Sequence, residues 1–425
     1  MQIRGYEVKW FELPSRAVGH VWRKIGEIVK DKIAVKYLEQ LKENRLRHAD
    51  PIRVGFIVQM PEIWDKEKTV FDQMLKNKEI IPTLIIVPAY DFAGALVGNY
   101  GNEKKYFINE SKGNYILAKN EDGSWVDIRP EEFDYIFYQI PYNQYLPKHL
   151  RSLTLVKRTK LCYIPYATIE KKEDGLVTRP KDFVRDISIF FAEDKKTAEE
   201  LNHTYYLTSE VKKLQKFTFE GYPAFETGLR INEECAYDNV LWTPRWTYDS
   251  IVGGSHFFEY LPGIEKLQSA EGGFAIRPHP LMWENFIKTG RCSVDDIAKI
   301  KNRWKNIGIV EDSNENIEET FNTTDILISD LSSVVAIFFL SGKPIILCPI
   351  EPYAPEEYST LLTTILPGLY IAHTWKELEY YLHMLKSKKD PLLEIRKEII
   401  QKYFDSNRNA TSNIIEYIRR DYMLE

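Results

Sequence analysis

The sequence predicts an α/β protein built from two doubly wound, Rossmann-like domains behind an N-terminal helical extension. Three observations lead there. Short apolar runs recur after residue 50, most of them apolar on both faces, as strands of a covered parallel sheet require. Polar or helix-periodic stretches long enough for a crossover separate them. The runs fall into two successive series, and 425 residues exceed what one hydrophobic core usually organises.

Residues 1–50 stand apart, with 11 Lys/Arg against 7 Asp/Glu. Val18, Trp22, Ile25, Val29, Ile33, Tyr37 and Leu41 recur every three or four positions and form one amphipathic stripe. Such a helix docks on its own domain or on a second copy. Arg23, Lys24, Lys30, Lys32 and Lys36 also suit an anionic lipid surface. The first strand series, assigned to 51–215, comprises residues 53–58, 83–88, 135–138 and 161–165, with a crossover helix over 66–76. The polar stretch 101–127 reads as an excursion or hairpin. After a connector near 209–221, the second series, assigned to 216–390, comprises 216–219, 239–244, 273–277, 308–310, 325–328 and 344–348. Residues 391–425 read as one or two helices that pack back across the junction.

A formal net charge of −5 argues against wholesale nucleic-acid binding. Cys162, Cys235, Cys292 and Cys348 are scattered without a CxxC pair, as reduced core thiols are. No apolar run approaches the ~20 residues needed to cross a bilayer, and no signal-peptide core opens the chain. The expected location is the cytoplasm, with residues 1–48 available for peripheral contact with the inner face of the membrane or for self-association.

Polar residues follow several of these strands directly, where an α/β sheet binds ligands. In 329–333, Ser329, Asp330, Ser332 and Ser333 join a buried strand to the apolar helix beginning at Val334. Helix capping accounts for one such residue; four in five positions point to an anion site, because unpaired N–H groups and a positive dipole end meet there. His279 lies in Arg277-Pro278-His279-Pro280, where the two prolines deny a helical continuation and hold the imidazole at the strand end. With Arg277 beside it, His279 can donate to a phosphate or protonate a leaving oxygen; a histidine satisfied by backbone groups is the plainer alternative. Thr243 and Arg245, with Thr247, offer donors for a diphosphate, while Trp242 and Trp246 pack. His256, after Gly253-Gly254-Ser255, is a lesser candidate of the solvent-facing kind.

Thr243-Pro244-Arg245, Arg277-Pro278-His279-Pro280, and 324–333 followed by Lys343-Pro344-Ile345 stand in an order that resembles the CDP-glycerol glycerophosphotransferases, the teichoic acid polymerase and primase family. Gly221-Tyr222-Pro223 matches the family's domain connector, and the resemblance covers roughly 216–390. It implies a GT-B fold, two Rossmann-like domains facing across a cleft, with the activated donor in the second. It also implies transfer of a polyol phosphate from a CDP-linked donor to a hydroxyl of a phosphate-containing or lipid-linked glycan, in synthesis of a teichoic acid or capsule-like polymer. His279 becomes the catalytic residue; Arg277, Ser329, Asp330, Ser332, Ser333, Thr243 and Arg245 become donor-phosphate residues, and no metal or other cofactor is expected. The family's His-Gly-Thr-Pro segment has no histidine here: residues 161–168 read Leu-Cys-Tyr-Ile-Pro-Tyr-Ala-Thr. Tyr142, Glu62 and Asp91 follow other first-domain strands and are candidate substitutes. Lys157, Arg158, Lys160, Lys171 and Lys172 form a basic stretch suited to an anionic acceptor. Two alternatives remain, a GT-B glycosyltransferase using a nucleotide sugar and a fold-retaining binding or scaffold subunit without catalysis.

Overall fold

A computed structural model describes residues 2–3, 6–7, 15–43, 51–89, 99–168, 179–203, 207–248, 254–314, 317–351 and 353–424. Asp91, Lys171, Lys172 and Gly253 lie outside the described residues, as do the side chains of Val18 and Trp22. Helix α1 (Ser15–Glu43) precedes a seven-stranded, all-parallel sheet. Its strands are β1 (Ile52–Val58), β2 (Ile80–Ile86), β3 (Tyr115–Leu117), β4 (Tyr135–Tyr138), β5 (Lys160–Tyr163), β6 (Ile189–Phe191) and β7 (Lys216–Thr218), in the order β3-β2-β1-β4-β5-β6-β7. The chain runs outward from β1 and then returns to β4, so the order reverses between β1 and β4.

Alternation explains the burial. Val54, Phe56 and Val58 enter one core with Leu84, Ile86 and Phe137, while Ile57, Ile85, Ile136 and Tyr138 enter another on the opposite face. Each such side chain contributes on the order of 1.5–3 kcal/mol when fully buried.

The second sheet is also all parallel, with β8 (Val240–Thr243), β9 (Phe274–Ile276), β10 (Val310–Glu311), β11 (Ile326–Ser329), β12 (Ile345–Leu347) and β13 (Tyr370–Ile371) in the order β10-β9-β8-β11-β12-β13. Its reversal falls between β8 and β11, which pair from Val240↔Ile326 to Thr243↔Ser329.

Several sequence expectations are corrected. Residues 216–218 do not open the second series; Lys216–Thr218 pairs with β6 as the far edge of the first sheet, and the chain crosses over only at Gly221. Gly221 has φ 92°, and a Cβ there would lie 2.7 Å from Ala410 Cβ, so the crossing is made at van der Waals contact with the C-terminal segment. The stretch 101–127 does contain a hairpin, with an antiparallel bridge between Lys119 and Trp125, but it also supplies a helix (Asn102–Glu110) that buries Phe107 and the edge strand β3. In α1 the buried residues are Asp31, Ala34, Leu38 and Leu41, whereas Val29 is 49 % exposed. That face docks on the first domain, where Lys181 and Arg185 stand 3.5–3.8 Å from Glu27 and Asp31.

The last helix, Ala410–Leu424, reaches back to the first domain. Asp421 accepts from Tyr135 Oη (2.6 Å) and Lys160 Nζ (2.7 Å), and Arg419 pairs with Glu79 at 2.6 Å. Hydrophobic residues of both sheets and of this helix belong to one continuous core.

Candidate functional site

The reversal between β8 and β11 opens a crevice at their carboxyl ends, the place where such sheets bind ligands. Behind it lies a buried polar framework. Thr243 Oγ1 donates to Ser329 Oγ at 2.8 Å, and Ser329 Oγ donates to the Asp330 carbonyl at 2.7 Å. The Asp330 carboxylate accepts from the Arg245 amide at 2.7 Å and from the Ser255 hydroxyl and His256 amide. Burial raises its pKa to about 6 against the pull of those donors. Thr243, Ser329 and Asp330 are only 7 %, 0 % and 2 % exposed. In this arrangement they fix the loops after β8 and β11 to the 255–256 turn and do not line the crevice.

His279, Arg245, Ser332 and Ser333 are partly exposed at the rim. The His279 amide donates to the Pro244 carbonyl at 3.1 Å, and its Nδ1 accepts from the Leu281 amide at 3.2 Å. An Nδ1 that accepts a backbone N–H carries no proton, so the neutral ring presents Nε2–H. Burial first, and then the charge of Arg245, push the His279 pKa down to about 4. At neutral pH the side chain is therefore a neutral hydrogen-bond donor, and it becomes a proton donor only once an anion beside it raises that pKa. Arg245 also donates through Nη1 to the Leu331 carbonyl at 2.6 Å, which draws its guanidinium over the β11 loop.

Arg277 departs from its expected role. Its Nη1 donates to Asp312 Oδ2 (2.6 Å) and to the Asn314 carbonyl (2.8 Å), so it braces the end of β10. His256 is not solvent-facing: Nδ1 lies 2.6 Å from Glu259 Oε2, Nε2 lies 3.2 Å from the Pro349 carbonyl, and the ring stacks on Tyr260. Asp325 and Lys343 sit at the other end of the sheet. The Asp325 carboxylate takes the amides of Ala236, Asp238 and Asn239, and Lys343 Nζ donates to the Thr324 carbonyl at 2.8 Å. At about 3.3 Å per residue, four residues of strand put Asp325 roughly 13 Å from the crevice.

Ser332 is the N-cap of the helix Ser333–Phe339, and Ser333 Oγ accepts from the Thr168 amide of the first domain at 3.3 Å. The donor rim thus touches the carboxyl end of β5. There Tyr142 and Tyr166 hydroxyls lie 2.7 Å apart, and Glu62 is exposed. The basic stretch is partly engaged, since Lys160 pairs with Asp421 and Lys157 stands over the Tyr37 ring.

Sequence reasoning missed Glu67. It is 1 % exposed, neither carboxyl oxygen has a hydrogen-bond partner, and burial raises its pKa to about 8. A glutamate at a helix start reads as an ordinary surface charge, so the pattern carried no signal. Among the described residues no group of three or more His, Cys, Asp or Glu could hold a metal ion.

Residues 220–420 match the model of the CDP-glycerol:poly(glycerophosphate) glycerophosphotransferase family. No curated protein matches the sequence. The structure resembles that of a putative UDP-N-acetylglucosamine 2-epimerase from Listeria monocytogenes at TM-score 0.54 and 10 % identity, over 88 % of this chain and 97 % of that one. It resembles the S. aureus MnaA–UDP co-structure at TM-score 0.53 and 12 % identity, over 88 % and 98 %. It also resembles the wall teichoic acid polymerase TagF at TM-score 0.52 and 14 % identity, over 97 % and 98 %. At these identities the likenesses speak to fold, which is GT-B with two Rossmann-like domains.

Proposed function

We propose, because residues 220–420 match the model of the CDP-glycerol:poly(glycerophosphate) glycerophosphotransferase family, that the chain is a transferase that moves glycerol phosphate from CDP-glycerol to a hydroxyl of a teichoic acid-type polymer and releases CMP. The observation that carries the reading is that the matched segment contains the three loops, 243–247, 277–280 and 329–333, which the fold gathers at one crevice.

The chemistry follows from the rim. As the acceptor oxygen bonds to the phosphorus of glycerol phosphate, charge accumulates on the departing CMP phosphate. Arg245 and the His279 Nε2–H are placed to meet it, with the Ser332 and Ser333 hydroxyls at the start of a helix. The framework of Thr243, Ser329 and Asp330 holds these groups in place, and Arg277 holds the His279 loop. In this reading protein groups neutralise the leaving charge without a metal. CDP-glycerol should raise the melting temperature and yield CMP when a hydroxyl acceptor is present, with EDTA leaving the rate unchanged. A shift with UDP-sugars and none with CDP-glycerol would move the assignment to a nucleotide-sugar transferase.

We further propose peripheral contact with an anionic membrane through α1. Docking buries its acidic Asp31, so Lys24, Lys30, Lys32 and Lys36 point outward beside Ile28 (56 % exposed) and Val29 (49 %). No helix among the described residues is long and apolar enough to cross a membrane. Flotation with phosphatidylglycerol vesicles should recover the full chain and lose it when Lys24, Lys32 and Lys36 are changed to Glu. Equal recovery of both would remove the proposal.

A further inference from the structure

Two phenols stand where the cleft side of the first sheet ends. Tyr142 follows β4 and Tyr166 follows β5, on neighbouring parallel strands. Their hydroxyls lie 2.7 Å apart and their rings meet edge to face at 6.1 Å, so one hydroxyl donates to the other. The backbone under Tyr142 is pinned, because Asn143 Oδ1 accepts the Ser152 amide and Asn143 Nδ2 donates to Ser152 Oγ, both at 2.9 Å. Tyr145 packs edge-on against Tyr142.

The pair borders the donor rim. Thr168, two residues after Tyr166, donates its amide to Ser333 Oγ, and its carbonyl accepts from Ser359 Oγ at 3.0 Å. Two residues of chain span at most about 7 Å. The segment has no histidine, so a proton leaving the acceptor must find another route.

We propose that the Tyr142–Tyr166 hydroxyl pair receives the attacking hydroxyl of the polymer acceptor and carries its proton away during transfer. The inference rests on the glycerophosphotransferase reading above. The acceptor oxygen forms a bond to the phosphorus of glycerol phosphate, the bond from that phosphorus to the CMP phosphate oxygen breaks, and the electron pair leaves with CMP. The acceptor's proton passes to one phenol oxygen, that phenol's own proton passes across the 2.7 Å contact to the other, and the second phenol's proton leaves to water, so both phenols end neutral. No oxidant or further reactant is consumed.

The test compares Tyr142→Phe, Tyr166→Phe and the double variant, each lacking only hydroxyls. CMP release, the KM for CDP-glycerol and the donor-induced melting shift are measured. Either single change should lower kcat about 10²-fold, the usual scale for acid–base groups. The double variant should be no slower than the slower single one, because the two act as a unit. The KM and the donor-induced shift should not move, since the donor loops belong to the other domain. A double variant within about twofold of wild-type kcat overturns the pair, as does a double effect equal to the product of the singles. If the Phe variants fold poorly, 3-fluorotyrosine at position 166 should displace the pH–rate profile toward acid, and an unmoved profile overturns the pair. A wild-type protein that binds CDP-glycerol yet releases no CMP with any hydroxyl acceptor overturns the transferase reading itself, an outcome distinct from activity that survives in the double variant.

Discussion

The two domains share one plan, an all-parallel sheet whose strand order reverses once, yet they treat their carboxyl ends differently. In the second domain, Asp330 ties three loops together from behind and leaves His279, Arg245 and two serines at the rim. In the first domain, Gln59 and Gln139 join the ends of β1 and β4 through neutral amides: Gln139 Oε1 accepts from the Gln59 and Met60 amides, both at 2.8 Å. Among the described residues there, a phenol pair and a buried acid, Glu67, stand beside them. A site that must hold a diphosphate needs concentrated donors and a rigid frame.

The largest effect should come from removing the donor-side imidazole. His279→Ala should lower CMP release by about 10²–10³-fold, the range for losing one donor to developing oxyanion charge. Its folding should survive, because the ring sits at a strand end outside the hydrophobic cores. Near wild-type turnover would break the contrast between the domains. Next in size is Glu67→Gln on the acceptor side, read through stability. The Glu67 pKa is about 8 when folded and 4.5 ordinarily, so the folded state holds the extra proton between those values. Glu67 therefore costs nothing below pH 4.5, destabilises progressively as pH rises to 8, and is level beyond. At pH 7 the gap of 2.5 units from the ordinary value corresponds to roughly 3 kcal/mol. Denaturant melts of Glu67→Gln should show that gain at pH 7 and a flatter profile from pH 5 to 8. An unchanged slope would mean that the carboxyl reaches water.

The same difference explains what was legible in the sequence. The apolar runs revealed most strands of both sheets because strands covered on two faces have few polar residues to disguise them, but β6 (Ile189–Phe191) and β13 (Tyr370–Ile371), at three and two residues, were not among them. The edge strand β3 escaped because it is three residues long and leaves Tyr115 38 % exposed. Residues 216–218 were placed on the wrong side of the junction because strand periodicity carries no information about which sheet an edge strand joins. On the donor side the cluster at 329–333 was visible as chemistry, yet its division into frame and rim was not. Ser329 and Ser332 look alike in one dimension and differ only in burial. On the acceptor side Tyr142 was a candidate by position, but its partner 24 residues away needed the register of β4 and β5.

That division between frame and rim yields the smallest predicted effect and the sharpest test of it. Asp330→Ala leaves the Arg245 amide, the Ser255 hydroxyl and the His256 amide without their shared acceptor in a buried place. Each buried donor left unsatisfied costs on the order of 1–3 kcal/mol, and relaxation of the loops should keep the total near the low end. Stability against unfolding should therefore fall by about 1–3 kcal/mol, with the KM for CDP-glycerol rising in step as Arg245 loses its anchor. Asp330→Asn, which keeps an acceptor oxygen at the position of Oδ2, should recover most of both. A residue that touched the donor directly would behave in the opposite way: activity would fall in both variants while stability stayed level. Urea denaturation of the two variants beside their CMP-release kinetics distinguishes these outcomes, and a stable but inactive Asp330→Asn would move Asp330 from the frame to the rim.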